Sequence, residues 1–347
     1  MKMRKITNLP LLIALLLLGL LPGCAGVTTS PPPLATVALY QPRATAPEHQ
    51  LLLRYAPWFE VENYQADYNR IGAAAARMAA PDKPQFFIDT NRPTIYTLVQ
   101  RFSSGGSEYT NLIYRVHFPE VPGPHLTMGR NVGLLVYVTL NDREEPVLIT
   151  TLHTCGCFLA LVPTSNLPRA AWPSGWQSTS QDVYGEMLPG QLALKERTPT
   201  GRLVLTIRGE THRVKALDFR EVAPETDKVG LTYATELAPM SALNQLPLNG
   251  GVVSFFEKEG WRKGHVKESR KPLEQLIMGW WALDPRVGED KAMGPPEETG
   301  TAIYTSLKFW ARQPSNIWNF PEFLNYWGWR LPPGPEDGNQ LQSLVSR

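Results

Sequence analysis

The apolar stretch of residues 148–162, near the middle of the 347-residue chain, constrains the fold more than any other feature. Its length and its run of apolar side chains predict a strand in the core of a sheet. A second apolar run at residues 132–140 precedes it, and the polar residues 141–145 separate the two. Apolar runs on either side of a short polar loop are typical of a β-hairpin. We therefore predict a hairpin whose second arm, residues 146–153, ends at His153.

Further strands are predicted wherever apolar and polar residues alternate. Residues 96–102 and 109–118 predict another hairpin, joined by a turn that contains two glycines. The other segments with strand-like composition are residues 49–61, 192–196, 202–208 and 211–217, and two or three more strands are expected between residues 229 and 266. The 32 prolines of the chain indicate long surface connections between these strands.

Helical spacing of apolar residues occurs once early in the chain and three times near its end. The early case predicts a helix over residues 62–79, where four consecutive alanines favour a helix. The late helices are predicted from Pro272 onward, around residues 303–311, and from Pro321 to about Gly328. Strands followed by helices predict an α+β fold, in which helices, mostly from the C-terminal third, pack on a mainly antiparallel sheet of hairpins and a meander.

The first 24 residues form a separate unit. Lys2, Arg4 and Lys5 precede an apolar run at residues 11–21, which is too short for a stable membrane span. The sequence Leu-Pro-Gly-Cys then ends at Cys24. This pattern resembles the lipobox of bacterial lipoproteins. The resemblance implies cleavage after Gly23, thioether lipidation of Cys24 and acylation, for example with palmitate, of the new amino terminus.

The resemblance also implies a location and a partner. In enterobacterial lipoproteins an aspartate after the cysteine favours retention in the inner membrane. Because Ala25 occupies this position, the resemblance implies the outer membrane. The body is then expected on the periplasmic face, with the outer leaflet of the inner membrane or the cell surface as alternatives. More than one acyl chain at Cys24 anchors a protein stably in a membrane.

We divide the chain into four regions on this basis. Residues 1–23 are the cleaved signal peptide, and residues 24–47 are a lipidated, proline-rich tether whose part around residues 37–40 is expected to dock on the body. Residues 48–268 are a β-rich body. Residues 269–347 are a helical region that packs on the same core.

The charge balance argues against a nucleic-acid partner. Removal of the signal peptide takes away three basic residues and no acidic residue, which leaves 31 basic and 32 acidic residues. Such a chain has no overall positive field to attract a polyanion. The acidic pairs Glu289–Asp290 and Glu297–Glu298 are expected to be solvated loop charges.

Lipidation of Cys24 would leave Cys155 and Cys157 as the remaining cysteines. In a straight strand these two and His153 share one face, but the residues are too far apart to meet without a bend, which Gly156 can supply. The bent segment could form a strained Cys155–Cys157 disulfide. It could instead hold two buried thiols, or bind copper or zinc through His153 and both sulfurs. A nucleophilic role for a cysteine has the weakest support.

Seven of the ten tryptophans follow residue 260. Trp280, Trp310 and Trp327 fit the apolar phase of the predicted helices and are expected in the core. Trp281 and Trp329 lie off that phase, so they are candidates for an exposed aromatic contact surface.

No complete catalytic or phosphate-binding motif is present in the sequence. The sequence therefore favours a non-enzymatic envelope lipoprotein with a structural or interaction role and without a cofactor. Its expected partners are the membrane, through Cys24, and an envelope protein or peptidoglycan. The alternatives are a redox or soft-metal protein that uses His153, Cys155 and Cys157, and a glycan-binding module that uses the late tryptophans.

Overall fold

A mixed sheet of ten strands dominates the structure. The computed structural model describes residues 37–43, 50–194, 201–221 and 231–332. Cys24, the signal peptide and most of the predicted tether therefore lie outside the described residues. The described part belongs to the unit Thr36–Arg347.

The strands are β1 Val37–Arg43, β2 Trp58–Glu62, β3 Ala73–Ala80, β4 Lys83–Asp89, β5 Thr94–Ser104, β6 Ser107–Val121, β7 Gly129–Leu140, β8 Pro146–His153, β9 Ala160–Pro163, β10 Ser180–Val183, β11 Glu186–Pro189, β12 Gly201–Ile207, β13 Val214–Glu221, β14 Leu231–Pro239, β15 Leu246–Leu248 and β16 Gly251–Val253. The α-helices are α1 Gln50–Tyr55, α2 Pro272–Met278, α3 Pro296–Thr299 and α4 Phe320–Tyr326.

The large sheet has the strand order β13-β12-β2-β1-β14-β5-β6-β7-β8-β9. Strands β5 to β9 pair antiparallel in sequence order. The other half contains three parallel pairs, β1–β14, β14–β5 and β2–β12. The segment 37–43, which falls within the predicted tether, is thus an inner strand of the sheet.

The sheet curls, so that strands far apart in its order come together. Val138 on β7 and Leu203 on β12 line the same small cavity, although six strand positions separate β7 from β12. In a flat sheet this separation would be about 29 Å, at about 4.8 Å per strand. The inner face of the curl holds one apolar core, which includes Phe59, Tyr114 and Val136.

The C-terminal segment covers the outer face of the sheet. A second apolar core lies there, and it joins Tyr137 and Leu148 of the sheet to Phe255 and Phe320 of this segment. Because both faces are covered, every residue of β8 is buried. Burial on both faces explains the continuous apolar run at residues 148–162.

The predicted α+β class is wrong, because the fold is mostly sheet and its helices are few and short. The C-terminal α-helices have seven, four and seven residues. Frequent prolines and glycines interrupt this region, and they prevent longer helices. Only a 3-10 turn, Phe309–Ala311, forms where the second late helix was predicted. The first and third late helices are confirmed as α2 and α4.

Two early predictions are also wrong. The alanine-rich segment predicted to be helical forms β3, which pairs with β4 from Ala73 opposite Asp89 onward. Strand pairing therefore overrides the helix propensity of alanine at this position. The predicted strand at residues 49–61 divides into α1 and β2. By contrast, the hairpins β5–β6, β7–β8 and β12–β13 are confirmed.

Candidate functional site

The turn between β8 and β9 carries both cysteines of the body. The backbone N–H of His153 donates to the carbonyl of Cys157 at 2.9 Å, and that of Gly156 donates to the carbonyl of His153 at 2.8 Å. Gly156 has φ +95°, and a Cβ at this position would lie 1.9 Å from the carbonyl oxygen of Tyr304. Only glycine fits both conditions. The predicted bend at Gly156 is confirmed.

The bend brings the two sulfur atoms together. Both are free thiols, with Cys155 buried and Cys157 half-buried. The backbone N–H of Cys157 donates to Sγ of Cys155 at 3.4 Å, and the Cys157 thiol also lies within hydrogen-bonding reach of that sulfur. Sγ of Cys157 is 3.4 Å from Oε1 of Glu274, a second acceptor on α2. The thiol of Cys157 therefore lies between two groups that can take its proton.

A buried ion pair lies beside the thiols. Nζ of Lys271 is 3.2 Å from Oδ2 of Asp290, and both side chains are almost completely excluded from water. Oδ1 of Asp290 accepts hydrogen bonds from the Thr154 hydroxyl and from the backbone N–H of Gly133. Burial opposes the charged form of Lys271, but Asp290 and Cys155 outweigh it and raise the pKa of this lysine above its usual range.

The two thiols have opposite acidities. Burial opposes ionisation of Cys155, but the hydrogen bond from Cys157 and the charge of Lys271 prevail and lower the pKa of Cys155. The same hydrogen bond, together with burial, raises the pKa of Cys157 well above its usual value. Of the two thiols, that of Cys155 is therefore the more acidic.

The predicted third member of the cluster, His153, is directed elsewhere. Its Nε2 donates to the carbonyl of His212 at 3.0 Å, and its ring packs edge-on against Phe158. Burial, followed by the charge of Lys271, lowers the pKa of His153 to about 4. Among the described residues, no three His, Cys, Asp or Glu side chains are arranged to hold a metal ion. The structure thus places Cys155 and Cys157 together and directs His153 away from them.

A cavity of about 120 Å³ reaches the thiols from the surface. The walls of this thiol cavity include Leu126, Tyr184 and Met278, together with Glu274 and Tyr304. Tyr184 is 68% exposed and marks the outer end. A cavity of this size admits a side chain or a small molecule and excludes a folded domain.

Sequence analysis missed most of the polar groups around the cysteines. Asp290 was expected to be a solvated loop charge, but it is fully buried, and so is Glu289. Lys291 donates from Nζ to the carbonyl of Cys155 at 3.2 Å, and Arg115 donates to the carbonyl of Lys291 at 2.9 Å. Adjacent charged residues in a loop are usually solvated, so nothing in the local sequence predicted the burial of Glu289 and Asp290 against the sheet.

The tryptophans differ from their predictions in most cases. Trp329, a candidate for the contact surface, is only 2% exposed and packs edge-on against Trp176. The surface role predicted for it is wrong, because residues after α4 fold back onto the outer core. Trp281 is exposed as expected. Trp280, Trp310 and Trp327 were predicted in the core and are exposed instead. The short helical turns at Trp280 and Trp310 do not form a face directed at the sheet.

Comparisons of this chain with protein-family models, with curated proteins and with solved structures find no match. Within the part of the chain that the structure describes, no helix has the length and apolar character needed to span a membrane.

Proposed function

We propose that this protein is an envelope lipoprotein whose body carries out thiol–disulfide exchange through Cys155 and Cys157. The observation that carries the proposal is the turn that places the backbone N–H of Cys157 3.4 Å from Sγ of Cys155 and Sγ of Cys157 3.4 Å from Oε1 of Glu274. Attachment at Cys24 and the periplasmic location rest on the sequence pattern of residues 1–24. The periplasm is an oxidising compartment in which such a pair can change its redox state.

The exchange proceeds in two displacements. The Cys155 thiolate attacks one sulfur of a substrate disulfide, so that a mixed disulfide forms and the other substrate sulfur leaves as a thiolate. Cys157 then loses its proton to Glu274, and its thiolate attacks Sγ of Cys155. The second substrate sulfur leaves, the Cys155–Cys157 disulfide forms, and the substrate disulfide has gained two electrons.

The geometry favours the dithiol over the disulfide. A Cys155–Cys157 disulfide, once formed, therefore tends to oxidise other thiols. A disulfide between residues two apart must bend the backbone strongly, which strains the bond. Stabilisation of the Cys155 thiolate further favours the dithiol. Once oxidised, the pair should therefore pass its disulfide on to a substrate dithiol, with both displacements reversed.

The thiol cavity restricts the substrate class. Its volume of about 120 Å³ and its apolar walls suit a small disulfide compound or a cystine in an extended segment. Leu126 and Met278 would contact the apolar part of such a substrate. This predicts slower exchange with disulfides held inside folded domains.

Trapping of the mixed disulfide tests this proposal. The full-length protein with Cys157→Ser is incubated with glutathione disulfide, and peptide mass spectrometry locates the adduct. We expect a stable glutathione adduct on Cys155, because the resolving thiol is absent, and no such accumulation in the unsubstituted protein. The matched Cys155→Ser protein should react far more slowly at Cys157. Equal reactivity of the two cysteines, or no adduct on Cys155, would refute the proposal.

A further inference from the structure

Eight large apolar side chains of the C-terminal region are exposed over 53% to 75% of their surface. We call them the aromatic patch: Trp261, Leu276, Ile277, Trp280, Trp281, Leu283, Phe309 and Trp310. Single exposed apolar residues are ordinary, but a set of this size indicates an interaction surface. The thiol chemistry uses none of these side chains.

The aromatic patch is carried by three segments, residues 257–263, 270–287 and 306–313, and specific hydrogen bonds connect them. The Arg286 guanidinium donates to the carbonyl of Trp261, which joins the first segment to the turn after α2. The Arg312 guanidinium donates to the carbonyl of Ala282, which joins the third segment to the same turn. These two hydrogen bonds hold the three segments next to one another.

The helix α2 directs two of its large apolar side chains outward. Leu276 and Ile277 are exposed, whereas Glu274 is buried against the thiols. An amphipathic helix of a globular protein normally buries its apolar face. The reversed orientation of α2 indicates that its apolar face has a partner outside this chain.

The charges around the aromatic patch are mostly positive. The segments 257–263, 270–287 and 306–313 carry six exposed or half-exposed basic side chains, namely Lys258, Lys263, Arg270, Arg286, Lys308 and Arg312. They carry two such acidic side chains, Glu257 and Glu259, since Glu274 and Asp284 are buried. Outside these segments, the chain after Gly23 carries 23 basic and 28 acidic residues, so this region is a local positive surface.

We propose that the aromatic patch inserts into the interface of a phospholipid bilayer that contains anionic lipid. Tryptophan is the side chain most suited to the level of the lipid headgroups, and basic residues beside it are attracted to anionic lipids. Each patch side chain is exposed over more than half of its surface. A bilayer accommodates exposed apolar side chains of any shape, whereas a folded partner would need a matching recess for each one.

This inference rests on neither the thiol chemistry nor the lipidation of Cys24. It gives the body a second membrane contact. Met278 follows Ile277 directly and lines the thiol cavity. Insertion of the aromatic patch therefore places that cavity close to the membrane surface.

Quenching of tryptophan fluorescence by brominated lipids tests the insertion. The full-length protein is reconstituted into vesicles of phosphatidylethanolamine with one quarter phosphatidylglycerol, both brominated on their acyl chains. We expect quenching and a blue shift of the emission. The double variant Leu276→Glu/Ile277→Glu keeps every tryptophan but adds two charges at the interface. It should weaken patch insertion about thirtyfold.

The control is Met187→Glu/Val252→Glu, which adds the same charges at exposed positions outside the patch. The control should be quenched as strongly as the unsubstituted protein. Equal quenching of both double variants, or no quenching in any protein, overturns the inference. A photo-cross-linker at Trp281 that captures a single protein in cells, or co-sedimentation with peptidoglycan that the α2 variant loses, would also overturn it in favour of that partner. The trapping reaction of Cys155 should be unchanged in both double variants, so the two proposals fail separately.

Discussion

Lys271 and Asp290 form an ion pair at 3.2 Å, with side-chain exposures of 1% and 0%. A buried ion pair seldom adds stability, because both groups lose their hydration. Here the lysine also lowers the pKa of Cys155, so the pair has a chemical consequence at the thiols. The carboxylate balances the charge of the lysine and holds the turn through Thr154.

Removal of one member of this ion pair should destabilise the protein strongly. Lys271→Met leaves Asp290 buried without its counter-charge, and we expect a loss of about 3–5 kcal/mol in the free energy of unfolding. Urea denaturation measures the loss. The double variant Lys271→Met/Asp290→Asn should recover much of it. As a control, Arg54→Met at the exposed pair with Glu144 should cost less than about 1 kcal/mol. Similar losses at both pairs would contradict this account.

Glu274→Gln should make both thiols more acidic. The Glu274 carboxylate raises the pKa of Cys155 and that of Cys157, and glutamine keeps its shape without its charge. The alkylation rate of each cysteine is measured against pH by peptide mass spectrometry. Both pH profiles should shift to lower pH. Glu297→Gln, on the exposed helix α3, should leave both profiles unchanged.

Gly156→Ala should prevent the turn from closing. The new Cβ would clash with the carbonyl of Tyr304, and the left-handed conformation adds a further cost, so we expect a loss of about 3 kcal/mol or more. Gly250→Ala is the matched control, since it has φ +79° and open space around its Cβ position. It should cost about 1 kcal/mol. Equal losses in denaturation experiments would show that contact with Tyr304 is unimportant.

Acid should destabilise the protein through its buried histidines. Burial is the main cause that lowers the pKa of His153 to about 4 and that of His212 to about 3, against about 6.5 in the unfolded chain. The unfolded state therefore binds more protons, and stability falls as the pH drops from about 6.5 toward 4. His153 contributes up to about 1.4 kcal/mol per pH unit within this range.

The variant His153→Gln isolates this contribution. Urea denaturation at each pH gives the free energy of unfolding of the variant and of the unsubstituted protein. The difference between them should shift in favour of the variant as the pH falls from 7 to 4. A constant difference across this range would show that His153 does not resist protonation in the folded state.

The hairpins of this fold could be predicted from sequence because their pairing is local. The arms of β7–β8 are five residues apart, and their apolar alternation and polar loop are visible in one window. The parallel pair β1–β14 joins Ala38 to Leu231, and no local pattern encodes such a pairing. The α+β prediction failed because helical spacing in the C-terminal region produced only short helices of seven, four and seven residues.

The candidate site could be predicted only in part. The sequence identified Cys155, Cys157 and the need for a bend at Gly156. It could not identify the groups that set the thiol acidities, because Glu274 lies 117 residues from Cys157 and Lys271 meets Asp290 only in the folded chain. It also placed His153 with the cysteines, whereas the turn separates the imidazole from them.

The central claim is that Cys155 and Cys157 exchange two electrons as one unit. The most direct measurement equilibrates the full-length protein in glutathione buffers of increasing potential, quenches it with acid and maleimide, and determines its intact mass. The account predicts a single two-electron transition in which both cysteines lose maleimide reactivity together, at a potential higher than that of a typical structural disulfide. Two independent one-thiol modifications, or a dithiol that stays reduced at every potential, would contradict it.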